Sequence, residues 1–142
     1  MQRIRLTYSG ALHHAMNRGH GGEKIFSGSG LKKVFIDILT ETSQKLKIKI
    51  IAYCLLDNHY HLVLENSSGR LSEFFKHLNG RFGIYYRKKK GGKGYVFQSR
   101  FKSEIIQDES YLITVIAYVL MNPVKAGEKS YSVLDFLTLS AG

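Results

Sequence analysis

The sequence predicts an α+β domain of the ferredoxin-like kind, a split β-α-β plan (βαββαβ) in which an antiparallel sheet carries two helices on one face and an added helix follows. Three observations lead there. Apolar positions switch between a two-residue and a 3.6-residue period in the order β-α-β-β-α-β, then a further helix. The two middle strands are separated only by Asp57 and Asn58, a turn pair that makes them an antiparallel hairpin. The 142 residues suit one core, so residues 1–142 are expected to form a single domain.

Residues 9–17 read as the first strand, and the glycines of Arg18-Gly19-His20-Gly21-Gly22 permit a loop with unusual dihedrals. Over residues 29–47, Leu31, Val34, Phe35, Ile38, Leu39 and Leu46 recur at helical spacing. Residues 48–56 form a continuous apolar, β-branched run suited to a central strand, and the chain then reverses at Asp57-Asn58 into a strand that begins with His59. A second helix is expected over residues 70–90, with Leu71, Phe74, Phe75, Leu78, Phe82, Tyr85 and Tyr86 as its apolar stripe and four basic residues before Gly91 at its end. Residues 96–107 read as a fourth strand, and residues 108–121 as a third helix that Pro123 stops.

Lys and Arg number 21 against 11 Asp and Glu, a formal net charge of +10 that favours a polyanionic partner, nucleic acid first. The single cysteine, Cys54, excludes an intramolecular disulfide and a cysteine-rich metal site. The longest wholly apolar stretch, residues 50–56, is too short to span a bilayer, and the start of the chain has no apolar signal region. A cytoplasmic protein without membrane partners is therefore expected.

Successive strand side chains point to opposite faces, so His59, His61 and Val63 share one face while Tyr60, Leu62 and Leu64 share the other. Two imidazoles roughly 7 Å apart along a strand are half of a metal site. The third helix offers the rest. At about 100° per residue, Leu112, Val115, Ile116, Val119 and Leu120 gather into a core-facing arc, and Tyr118 and Asn122 fall together at its flank, one turn apart. Asn122 is then the candidate third, neutral ligand, with Tyr118 beside the metal. Taken singly, Tyr118 reads equally as an amphipathic boundary residue and Asn122 as a helix C-terminal residue before Pro123. Tyr111, two turns earlier on the same flank, competes with Tyr118 on geometry alone.

These residues resemble a known family. His59-Tyr60-His61 matches the HUH motif of the single-tyrosine transposases, two histidines around a bulky hydrophobic residue. The segment Tyr118-Val119-Leu120-Met121-Asn122-Pro123-Val124-Lys125-Ala126-Gly127 is similar to the tyrosine helix and NPV-(Lys/Arg)-x-Gly stretch of the branch that includes the REP-associated tyrosine transposases. His14-Ala15-Met16-Asn17-Arg18-Gly19 resembles that branch's His-Val-x-x-Arg-Gly, and Tyr95-Val96-Phe97-Gln98-Ser99-Arg100-Phe101-Lys102 its Phe-Gln-x-Arg-Phe block. The chain departs from the pattern at Ala117 and Leu120, where that branch commonly has Arg and His, and at His13, which replaces an aromatic residue.

The resemblance implies an enzyme that nicks and rejoins single-stranded or hairpin DNA. Tyr118 would attack a phosphodiester to give a 5′-phosphotyrosine link and a free 3′-hydroxyl, which conserves the ester energy for rejoining. His59, His61 and Asn122 would hold Mg²⁺ or Mn²⁺, a donor set without ligand charge. It also implies either a monomer or a homodimer. The basic residues Arg18, Arg87, Lys88, Lys89, Lys90, Lys93, Arg100 and Lys102 are candidates for a phosphate track, with Gln98 either at a base edge or satisfying local backbone groups, and Tyr95 or Phe97 stacking on unpaired bases. The run Arg87, Lys88, Lys89 and Lys90 reads equally as the cationic end of a helix.

Two other function classes fit parts of the pattern. A non-catalytic single-strand nucleic-acid-binding module shares the basic, aromatic sheet but has no use for His59, His61 and Tyr118. A metal-dependent hydrolase that activates water needs an acidic group near the histidines, for which Asp57 and Glu65 are the nearest in sequence.

Overall fold

A computed structural model describes residues 7–28, 30–126 and 131–133, with side chains described up to residue 121. Its sheet has five antiparallel strands in the order β4-β1-β3-β2-β5. These are β1 (Leu12–Arg18), β2 (Lys49–Leu55), β3 (His59–Glu65), β4 (Lys102–Ile106) and β5 (Tyr131–Val133), with helices α1 (Leu31–Leu46), α2 (Leu71–Lys90) and α3 (Glu109–Ala126). The α+β, ferredoxin-like plan expected from the sequence is the fold observed.

The sheet separates two apolar layers. On one side α1 and α2 bury Phe35, Leu39, Phe74, Phe75, Leu78 and Phe82 against Ala15, Tyr60, Leu62 and Leu64. On the other, α3 covers Ala52, Cys54, Val63 and Ile106 with Val115 and Val119. Alternation along β3 therefore decides which residues meet which helices. β2 serves both layers by the same alternation, and where its register slips between Ile50 and Ala52, Ile51 and Ala52 turn to the α3 side in succession.

Tyr60 anchors this choice of face. Its ring lies 5.0 Å from that of Phe35, and its hydroxyl donates to Asn79 Oδ1 at 2.9 Å, which satisfies the one polar group the burial would strand. The hairpin turn at its start is tied down as well. Leu56 N–H donates to His59 C=O at 2.9 Å across Asp57-Asn58, and Lys32 Nζ on α1 pairs with Asp57 Oδ1 at 2.9 Å.

Three expectations need correction. The fourth strand is Lys102–Ile106, not residues 96–107, and β1 begins at Leu12. Val96 and Phe97 are adjacent yet both buried in the α1/α2 layer, which a paired strand does not allow. The segment instead crosses the end of β1, where His20 N–H donates to Val96 C=O and Gln98 N–H to Arg18 C=O. Second, α3 does not stop at Pro123 but runs to Ala126. Proline's fixed φ is itself helical, so the helix gives up the bond that residue would donate and continues. Third, β5 extends the sheet beyond β2, a strand absent from the periodicity reading.

Candidate active site

The hairpin and α3 bring His59, His61 and Tyr118 to one place. His59 and His61 project from β3 toward the α3 side, with ring centroids 5.1 Å apart and planes at 80°. His59 Nδ1 lies 2.7 Å from Asn58 Oδ1, which places the ring proton on Nδ1 and the lone pair on Nε2. His61 is only 4% exposed. Burial, then the neighbouring His14 and His59, push its pKa down to about 3, so it is a neutral imidazole at ordinary pH.

A third histidine joins them. His14 on β1 stacks on His61 at 5.2 Å, with Nε2 3.0 Å from His61 Nδ1. Burial lowers its pKa, and the carboxylate of Glu104, its register partner on β4, partly opposes that shift. Sequence reasoning gave His14 no role. The signal was the adjacent pair His13-His14, since two neighbours on a strand must face opposite sides. Only the register reveals which one reaches His61. His13 points to the other layer, buried between Thr7 Oγ1 and Ser103 Oγ at 2.7 Å each.

Tyr118 reaches this cluster from α3 within the same chain. Its ring is 6.0 Å from that of His61 at 89° and 6.2 Å from that of His14 at 72°, and 47% of it is exposed to solvent. Val115 and Val119, both buried, seat the helix so that residue 118 falls at the edge of its contact with the sheet. Among the described ring contacts, Tyr118 and not Tyr111 meets these histidines. Tyr111 sits in the first turn of α3, where its N–H donates to the capping Asp108 Oδ1 at 2.8 Å. Asn122 lies one turn beyond Tyr118 on α3, with its side chain outside the described residues, as is Gly127 of the same motif.

No group of three His, Cys, Asp or Glu among the described residues is arranged to hold a metal ion. The two acidic candidates stand apart from the histidines. Asp57 pairs with Lys32, and Glu65, at the far end of β3, accepts from Ser67 Oγ at 2.7 Å.

The basic candidates divide into two sets. Arg18 is the register partner of His59, and its Nε donates to Gln98 Oε1 at 2.7 Å; Lys102 is the partner of Met16, itself opposite His61. These three side chains line a cleft of about 120 Å³ with Met16, Asn17 and Ser99. Arg87, Lys88 and Arg100 line a separate, larger groove against α2. Arg87 is largely a brace, donating to Gly91 C=O at 3.2 Å and Tyr95 C=O at 3.3 Å, while Lys89 Nζ lies 6.0 Å over Tyr85. Lys90 and Lys93 are exposed. Tyr95 is exposed, whereas Phe97 is buried in the core and offers no face for stacking.

Comparison with known proteins bears on the fold and the family. No curated protein matches the sequence. Among solved structures, a REP-associated tyrosine transposase bound to a REP hairpin superposes with a TM-score of 0.71 at 19% identity, over 89% of this chain and 75% of that one. A putative transposase from Deinococcus radiodurans superposes with a TM-score of 0.58 at 12% identity, over 90% and 98%. A tRNA(His) guanylyltransferase from Saccharomyces cerevisiae gives 0.60 at 9% identity, over 85% and 62%, so the fold extends beyond transposases. Among the described residues no helix is long and apolar enough to cross a membrane. The family model described as "Transposase IS200 like" matches residues 7–122, and the chain therefore belongs to the IS200-like transposase family.

Proposed function

We propose that this transposase nicks and rejoins single-stranded, hairpin-associated DNA through a 5′-phosphotyrosine intermediate, with Tyr118 as nucleophile. The observation that carries this reading is the meeting of Tyr118 with His61 of the histidine pair in one chain, their rings 6.0 Å apart. Tyr118 Oη forms a bond to phosphorus as the bond to the 3′ oxygen breaks, and over the step one proton passes from the phenol to the leaving hydroxyl. Reversal with a new 3′-hydroxyl rejoins the strand.

The donor set fits a divalent cation. Neutral His61 and the lone pair of His59 Nε2 are ligand-competent, and both rings already use Nδ1 in hydrogen bonds that fix their orientation. His59 and His61, with Asn122, would hold Mg²⁺ or Mn²⁺, which when bound would polarise a non-bridging phosphate oxygen. Arg18 and Lys102, flanking the pair in register, are suited to neighbouring phosphates. Because nucleophile and histidines belong to one chain, this reading needs no second copy for cleavage.

The test is a denaturing gel of labelled hairpin DNA with a single-stranded extension, incubated with the protein and Mg²⁺ or Mn²⁺. A product shifted by covalent attachment is expected. Cleavage without any adduct would overturn the reading in favour of attack by water.

A further inference from the structure

A groove of about 1160 Å³ runs between α2 and residues 94–101, outside the histidine site. Its floor is Phe75, Val96 and Phe101, and its rim carries Lys76, Lys88 and Arg100, with no Asp or Glu among its described lining residues. Ile84 and Tyr95, 62% and 80% exposed, stand open at its edge.

The glycines are informative. Gly80 and Gly83 lie one turn apart on the groove face of α2, where glycine disfavours a helix. At Gly83 a Cβ would make ordinary contact with Val96 at 3.7 Å, but at Gly80 it would meet nothing within 4 Å. No neighbour among the described residues requires Gly80 to be small, so its absent side chain leaves room above the helix. The groove adjoins the 120 Å³ cleft of Arg18 and Lys102, since Gln98 and Ser99 line both.

We propose that this groove seats unpaired nucleotides of the DNA strand that leaves the histidine site, with a base against Tyr95 and phosphates on Lys76, Lys88 and Arg100. The proposal rests on the single-strand nuclease reading. Charge selects the occupant, since a cationic rim without carboxylates suits a phosphodiester chain, and an exposed aromatic ring suits a base of any sequence. Tyr95 C=O is held by Arg87, so the loop presenting that ring is braced from α2.

The experiment is fluorescence anisotropy at low salt with two labelled probes, a blunt hairpin and the same hairpin with a tail of about ten unpaired nucleotides. Gly80→Glu places an anion in the groove without a clash, and Tyr95→Ala removes the ring from an exposed loop, so neither disturbs the core. Both variants are expected to bind the tailed probe about tenfold more weakly and the blunt probe as wild type does. Equal loss on both probes, or none on either, would overturn the proposal. So would an unchanged tail affinity with an altered oligomeric state by light scattering, which would make the groove a protein interface. A failed adduct assay with tail-specific loss intact would sink the nuclease chemistry and leave the groove.

Discussion

His14 was invisible as a site residue in a sequence that showed His59 and His61 plainly. The pair is legible because a period of two puts both on one face whatever the rest of the fold does. His14 depends on β1 pairing with β3, so that it lies opposite Val63 and diagonal to His61. If its ring fixes the proton and orientation of His61, His14→Ala should weaken Mn²⁺ binding by roughly 10- to 100-fold in calorimetry. Unchanged affinity would reduce His14 to packing. His13 has a different consequence. Burial lowers its pKa from 6.5, so the unfolded chain binds the proton more readily and stability falls as pH drops below about 6.5, with no further gain above it. His13→Phe should flatten, though not abolish, the fall in melting temperature between about pH 7.5 and 5.5, since His14 and His61 are also held neutral by burial.

At the level of elements, the apolar stripe of α3 and the Asp57-Asn58 hairpin followed directly from local rules, because periodicity and turn chemistry are properties of a few neighbouring residues. The segment at residues 95–101 did not. Its β-branched and aromatic residues look like a strand, yet its hydrogen bonds go to Arg18 and His20, far away in sequence. β5 has three residues, too few for a period, and Pro123 obeyed its compatible φ rather than its usual role as a stop. Gly19, in the same crossing, was read as a source of backbone freedom, but its φ of −61° is open to any residue. Packing is what requires it, since a Cβ there would lie 2.2 Å from Glu23 C=O. Gly19→Ala should therefore destabilise the fold by about 2 kcal/mol, measured by urea unfolding. A loss below about 0.5 kcal/mol would show that the loop relaxes freely.

Across the whole molecule, the sheet divides labour: one face buries the α1/α2 core, and the other holds the histidines and the tyrosine under α3. A net charge of +10 surrounds this division. Binding of tailed hairpin DNA should weaken by at least about tenfold between roughly 50 and 200 mM salt, in proportion to the phosphates neutralised. Salt-independent affinity would exclude a phosphate track. The chemistry itself is tested most directly by comparing wild type, Tyr118→Phe and Tyr111→Phe in the adduct assay with Mg²⁺ or Mn²⁺. Replacing Tyr118 removes one nucleophilic oxygen while keeping the ring and the surface charge, so the account predicts no cleavage and no adduct, DNA affinity within about twofold of wild type, and normal adduct formation by Tyr111→Phe. An adduct that persists in Tyr118→Phe and vanishes in Tyr111→Phe would contradict it.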